Sequence, residues 1–256
     1  MVDHNGLLTL AVEIGRRLQE SGAEIYRVEE AVRRTLQAYG VDSGQVFAIP
    51  NCLIVSVIDP DGKPITRMER MVSRGSNVDR MERVYGFCRK VCQETPDVAQ
   101  AIRDLRELDA RVTYFPLWVQ LLGFILGEGA FTLFWGGTLR DAVAGGLCGL
   151  VIGLCLTYMG RVNVNVFIKT VITTFAAVFL AAFLVQIGLG ETLSIIIIGA
   201  LMALVPGIMF TSFVRALLAG DLVAGVFKLT EALLTGAAIA IGAVVAMAAA
   251  TGLWGV

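Results

Sequence analysis

Pro206-Gly207, followed by Thr211, Ser212, Arg215 and Asp221, is the densest polar constellation in the apolar second half of this 256-residue chain. Proline removes a helical hydrogen bond and glycine relaxes the next residue, so backbone groups come free within or near an apolar helix. Free carbonyls and helix ends coordinate ions, and the N-terminus of a half-helix attracts a carboxylate. Arg215 could clamp that carboxylate through two parallel hydrogen bonds. The plainer alternatives are that Pro206 only ends a membrane span and that Arg215 snorkels to lipid phosphate. Asn165 and Lys169, followed by Thr173 and Thr174, offer a second polar group with the same two readings, and for Lys169 snorkelling is favoured.

Glu128 lies between Gly127 and Gly129, well inside an apolar run, where an ionised carboxylate costs about 2.5–3.5 kcal/mol on insertion scales. It should face protein or water, which makes it a candidate proton carrier for coupled export; local polar packing is the alternative. Asp141 and Glu231 stand near the starts of apolar runs and read as interfacial groups. Gly145, Gly149 and Gly153 recur every four residues, a spacing that lets helix backbones approach closely, against another span or a partner.

Enzyme chemistry finds little support. His4 is the only histidine and stands in an N-terminal stretch expected to fray, so a Ser-His or Cys-His arrangement would depend on one badly placed residue. Cys88 and Cys92 are one helical turn apart, but no second Cys/His pair completes a zinc site. No metal, cofactor or enzymatic activity is expected.

The elements that must carry these residues follow from charge. Residues 1–113 hold 16 Lys or Arg and 17 Asp or Glu, whereas the remaining 143 residues hold only ten charged side chains. A hydrophobic share of 56% and a mean hydropathy of +0.72 exceed those of ordinary soluble domains. Cations and anions interleave in the front half, which gives no basic stripe for nucleic acid. Apolar runs near 117–135, 141–158, 166–187, 193–210 and 229–253 each match the ~20 residues that cross a bilayer. The first residues, MVDHNGLLTL, show no secretory signal pattern, so the N-terminus is expected in the cytoplasm. Short connections then make neighbouring spans antiparallel. Arg161, Lys169, Arg215 and Lys228 fall on the cytoplasmic side against Arg140 alone outside, and the C-terminus is outside.

Residues 1–113 read as a cytosolic α+β domain in the order helix, helix, strands, helix, helix. Leu7, Leu10, Ala11, Ile14 and Leu18, then Ile25, Val28, Val32 and Leu36, repeat at helical spacing. Val46–Ile49, Leu53–Ile58 and 65–72 are strand-like, with turn residues Asp59-Pro60-Asp61-Gly62 before the third. Helical patterns return over 77–94 and 97–109. The expected architecture is a soluble α+β N-terminal domain (1–113) followed by an all-α membrane domain (114–256) of about five transmembrane helices.

Gly22-Ala23-Glu24-Ile25-Tyr26-Arg27-Val28-Glu29, Asp61-Gly62-Lys63-Pro64-Ile65-Thr66-Arg67 and Arg74-Gly75-Ser76-Asn77 stand in order along the front half. Phe134-Trp135-Gly136-Gly137 before Asp141, then Val205-Pro206-Gly207, Thr211, Arg215, Gly220-Asp221 and Gly225, continue through the back half. Together these motifs resemble the threonine/serine exporter family. The resemblance implies an integral membrane protein of the cell (inner) membrane that exports threonine, serine or small dicarboxylates. The length is similar to the split form of that family, so a separate, smaller membrane subunit is implied as partner, besides the lipid bilayer and a small-molecule substrate; a homo-oligomer is left open. On the motifs, Glu24, Arg27, Glu29, Thr66, Arg67, Arg74 and Asn77 form either a polar site or a salt-bridged seam between helices and strands. The alternative functions are a regulatory or scaffolding membrane protein and a membrane-tethered hydrolase.

Overall fold

A computed structural model describes residues 3–71, 75, 77–110, 115–162 and 164–255, without the side chain of residue 110. Two compact units divide the chain: Met1–Thr113 with Ser212–Lys228, and Tyr114–Thr211 with Leu229–Val256.

In the first unit, α1 (His4–Glu20) and α2 (Ile25–Ala38) precede strands β1 (Gln45–Ile49), β2 (Cys52–Ile58) and β3 (Pro64–Arg70), and α3 (Val78–Glu94) and α4 (Val98–Ala110) follow. Asp3 caps α1 by accepting the Asn5 N–H at 3.1 Å, and Asn77 caps α3 by accepting the Arg80 N–H at 2.9 Å. The α1 stripe Leu7, Leu10, Ala11, Ile14 and Leu18 is fully buried. Gly15 lets α1 settle on the sheet, because a Cβ there would stand 2.5 Å from Leu53 and 2.9 Å from Val32. The sheet is antiparallel in the order β1-β2-β3, with Val46 opposite Val55 and Val55 opposite Arg67. Leu53, Val55 and Val57 of β2 alternate into the core. Between β2 and β3, the Asp59 carboxylate accepts the Lys63 N–H at 2.7 Å, and Gly62 takes φ +79°.

The expected fold class requires correction. Among the described residues 73% are helical, and the strands are three pieces of 5, 7 and 7 residues. β-branched runs such as Leu53–Ile58 signal local strand preference, but one small sheet among helices does not make an α+β domain. Nothing observed marks these residues as a soluble domain.

In the second unit come α5 (Leu117–Phe134), α6 (Leu139–Arg161), α7 (Val166–Gln186), α8 (Leu193–Ala200) and a 3-10 turn at Met202–Leu204. Next are α9 (Gly207–Leu218) and α10 (Leu222–Trp254), of which Ser212–Lys228 belongs to the first unit. Four helices, α5, α6, α7 and α10, are long and apolar enough to cross a membrane. The fourth expected span, 193–210, is a bent pair: α8 with its turn meets α9 at 55°, and the two count as one crossing, the fifth in all, only if both halves are taken together. Small residues make the packing, with Ala144 and Cys148 of α6, Ala177 and Ala181 of α7, Ala200 of α8 and Ala246 of α10 in one buried cluster. Gly242 of α10 abuts Val171–Phe175 while Trp254 lies 5.0 Å from the Phe179 ring, so α10 runs parallel to α7.

Candidate functional site

The chain breaks its helical ladder between α8 and α9. Leu204 N–H bonds to Leu201 O at 2.9 Å, Val205 N–H to Met202 O at 3.3 Å and Gly207 N–H to Val205 O at 2.8 Å, while Pro206 has no N–H to give. This tightening leaves the carbonyls of Ala203 and Leu204 without a backbone donor among the described residues. It also leaves Ile208 and Met209 N–H groups at the start of α9, the end that attracts anions. Thr211 Oγ1 donates back to Ile208 O at 3.0 Å, within the same turn.

Glu128 of α5 reaches this break. The residue is 3% exposed, and the backbone N–H of Ala203 in the 3-10 turn bonds to its carboxyl group. Its Oε2 is buried with no hydrogen-bond partner among the described residues. A Cβ on Gly149 of α6 would lie 2.9 Å from Glu128 Cγ, so glycine is what admits the carboxyl between α5 and α6. The stripe Gly145, Gly149 and Gly153 faces α5, against Thr132, Phe124 and Leu121, and Gly199 of α8 would place a Cβ 2.6 Å from Thr132 Cα. The glycine stripe and the buried carboxylate, read separately from the sequence, are two faces of one seam.

Asp141 contrasts with Glu128. It is fully buried rather than interfacial: Oδ1 accepts the N–H groups of Glu191 at 2.7 Å and Thr192 at 3.0 Å, and Oδ2 accepts the Thr138 N–H at 3.1 Å. Thr138-x-x-Asp141 is a capping box, and that pattern was the available sequence signal.

The other predicted residues are dispersed. Asn165 caps α7, accepting the Phe167 N–H at 2.8 Å, and Asp221 accepts the Ala224 N–H at 3.0 Å at the start of α10. Lys169 Nζ packs beside Gly160 at the end of α6. Arg215, which belongs to the first unit, forms an ion pair with Glu24. Arg27 Nε stands 3.2 Å from Glu24 and donates to Tyr26 Oη at 3.1 Å, which completes one small charged group. Glu29 instead accepts the Ala48 N–H at 2.8 Å, Thr66 meets Ser56 across the strands at 2.9 Å, Arg67 reaches Thr9, and Asn77 is the α3 cap. Arg74 lies outside the described residues.

Sequence reasoning missed the ion network that ties three helices. Arg17, 3% exposed on α1, meets Glu13 of the same helix and Asp109 of α4 at 2.9 Å, and Arg80 of α3 bonds both Asp109 at 3.1 Å and Glu20 at 3.2 Å. Its clue was an arginine three residues after Ile14 on the apolar face of α1. Burial alone would raise the Glu13 carboxyl, but Arg16 and Arg17 hold it below the usual carboxylate range. Nearby, burial pushes the Tyr85 hydroxyl up to about 12 and the Cys88 thiol up to about 11. No group of three or more metal-ligating side chains occurs among the described residues.

"Pheromone-regulated membrane protein 10" of two Candida albicans strains, WO-1 and SC5314, is 25% identical over 238 residues, which is 86% of this chain and 20% of those proteins. The protein of that name from Eremothecium gossypii is 29% identical over 109 residues, 40% of this chain and 14% of its own length. The chain thus spans about a fifth, or less, of the curated relatives it matches. No solved structure matches it. Membrane-named relatives and several span-length apolar helices make this a multi-pass membrane protein. The model described as "ThrE: Putative threonine/serine exporter" matches residues 9–250, so the helix break, the buried carboxylate and the paired arginine all stand within one match, and the chain belongs to the threonine/serine exporter family.

Proposed function

We propose that the chain exports small hydrophilic metabolites, threonine- or serine-type amino acids or small dicarboxylates, through the break between α8 and α9, with Glu128 as the coupling group. The observation that carries this reading is the contact between the Glu128 carboxyl and the 3-10 turn three residues before Pro206. A carboxylate at an interrupted helix, with backbone acceptors and donors free on either side, is the arrangement transporters use for solute and ion. Pro206, Gly207 and Thr211 line the opening, Arg215 and Asp221 stand further along the chain, and Asn165 and Lys169 mark the start of α7.

Glu24, Arg27 and Arg215 form a latch that loading would open, since a guanidinium already paired with a carboxylate must exchange it to take another. Glu29, Thr66, Arg67 and Asn77 serve the framework. The protein resides in the cell membrane with its N-terminus in the cytoplasm and C-terminus outside. The positive-inside balance supports that orientation, and the parallel run of α7 and α10 fits a single crossing between them. A separate, smaller membrane subunit completes the pathway.

Counterflow of labelled threonine and of labelled succinate, in proteoliposomes with and without that subunit, is the test. Flux of at least one solute, reduced by Pro206→Ala and by Arg215→Ala, is the expected result. Absence of flux for every candidate solute in the assembled pair would overturn the reading in favour of a scaffolding role.

A further inference from the structure

We propose that the outer edge of β3 is a self-association surface, on which a second copy of this chain lays its own β3 antiparallel, in one register that is two-fold symmetric about Met68. The proposal is independent of the substrate and of the coupling group.

The two edges of the sheet are unlike. On β1 the Ala48 N–H is taken by the Glu29 carboxylate of α2 at 2.8 Å. On β3 the hydrogen-bond pattern decides which groups are bare. Asp59 N–H bonds to Lys63 O and Met71 N–H to Asn51 O, both at 2.9 Å, and opposed pairs between antiparallel strands alternate between bonded and unbonded. Ile65, Arg67 and Glu69 therefore bond to β2, whereas Thr66, Met68 and Arg70 turn their N–H and C=O groups outward. Those three N–H groups have no partner among the described residues. A row of unpaired amides at every second residue is a template for another strand.

The side chains choose the occupant. Arg67 stands opposite the buried Val55 and Glu69 opposite the buried Leu53, so both ions lie on the helix-covered face of the sheet. Arg67 meets the Thr9 hydroxyl, and neither Arg67 nor Glu69 has an ion-pair partner among the described residues. A two-fold axis at Met68 sets Arg67 of each copy opposite Glu69 of the other, and Thr66 opposite Arg70. Neighbouring centres fail. An axis at Arg67 sets arginine against arginine, one at Glu69 sets glutamate against glutamate, and one at Arg70 again opposes like charges, each of which is destabilising. An axis at Thr66 leaves Arg67 facing Ile65. A strand of another protein would have to carry the complementary charges at the same spacing, whereas a second copy supplies them by symmetry.

The opposite face agrees. Phe47, Ile54 and Met68 stand side by side across the three strands, with Phe47 55% and Met68 64% exposed. With the axis at Met68 the two rows meet end to end, and the two sheets become one continuous sheet with its helices on one side. On the helix side, Asn5, Thr9, Thr66 and Arg67 line a hollow of about 420 Å³ beside the edge, which leaves room for an incoming Glu69 side chain to reach Arg67. Each facing pair of outward residues exchanges two backbone hydrogen bonds.

The test is the mass of the full chain in detergent, measured by light scattering over a range of concentrations. Wild type should form a dimer. Arg67→Glu and Glu69→Arg should each weaken association by about tenfold or more, because each replaces two opposite-charge pairs with two like-charge pairs. Combining the two substitutions restores the pairs and should restore the dimer. Met68→Cys should cross-link to its own copy on mild oxidation, whereas Thr66→Cys, about 13 Å from its copy at an offset of four residues, should not; wild type with its own five cysteines is the blank. A wild-type chain that stays monomeric overturns the proposal. So does a dimer indifferent to Arg67→Glu and Glu69→Arg, whose interface lies elsewhere, and so does a cross-link through Thr66→Cys instead of Met68→Cys, which means another register. Cross-linking of Met68→Cys to the smaller membrane subunit in place of a second copy overturns it in favour of that occupant. Should Arg67→Glu fail to fold, Glu69→Arg and the Met68→Cys cross-link decide.

Discussion

Arg17 in the first unit and Glu128 in the second expose the same 3% of their surface, yet their surroundings differ completely. Arg17 is ringed by Glu13 and Asp109, and Asp109 is shared with Arg80, so every charge in that seam has a permanent partner. Glu128 has one backbone donor and an empty oxygen. Burial of a charge is costly in both places. The first unit offsets it with fixed ion pairs that join helices; the second sets it beside a helix break with a single backbone donor. Asp141 sharpens the lesson, because it is buried in the same unit as Glu128 and is saturated by backbone N–H groups. The two carboxylates thus differ in whether their donors are built in.

That contrast can be broken by mutation. The largest loss is expected for Asp141→Ala, which strands the N–H groups of Thr138, Glu191 and Thr192 and removes the capping box; about 3 kcal/mol or more of stability should disappear in thermal melts in detergent. Arg17→Ala should cost about 2–3 kcal/mol by leaving Glu13 and Asp109 without their buried partner. The exposed Arg83–Asp79 pair of α3 is the control, since Arg83→Ala should change stability by less than about 0.5 kcal/mol.

Between these lies Gly149→Leu, whose side chain would collide with Phe124 O and Glu128 and push α5 from α6, at about 1–3 kcal/mol. A small effect is also expected for Tyr85→Phe, which removes a buried hydroxyl without a partner among the described residues and should lie within about 1 kcal/mol of wild type. Its signature is in the pH profile. Burial raises the Tyr85 hydroxyl to about 12 in the folded chain, above the ~10 of an unfolded tyrosine. Its contribution is therefore complete below pH 10 and drains away as pH rises toward 12, and the phenylalanine variant should lose that part of the alkaline decline.

Much of the fold was legible because it depends on local pattern. The α1 stripe, the Asp59–Gly62 turn and the long apolar runs follow from residues close in sequence. The balance of helix over strand was misread, since Leu53–Ile58 announces a strand but not how little sheet surrounds it. The break after Leu204 was marked by Pro206, whereas its 55° bend, and the split of one expected span into α8 and α9, leave no local pattern in the sequence. The same holds for the site. Glu128 and Pro206 were each visible, but 75 residues of sequence separate Glu128 from the Ala203 amide that joins them. Arg17, Arg80 and Asp109 stayed hidden because an ion network between three helices leaves no local signature, and each looks like an ordinary surface charge.

The central claim is that the open carboxylate at the break couples transport. It is tested most directly by threonine efflux from proteoliposomes of the assembled exporter under an imposed pH gradient, in wild type and Glu128→Gln. Wild type should accelerate efflux when the outside is acidified, whereas Glu128→Gln should assemble normally and show no acceleration. Full pH-driven efflux in Glu128→Gln would contradict the account.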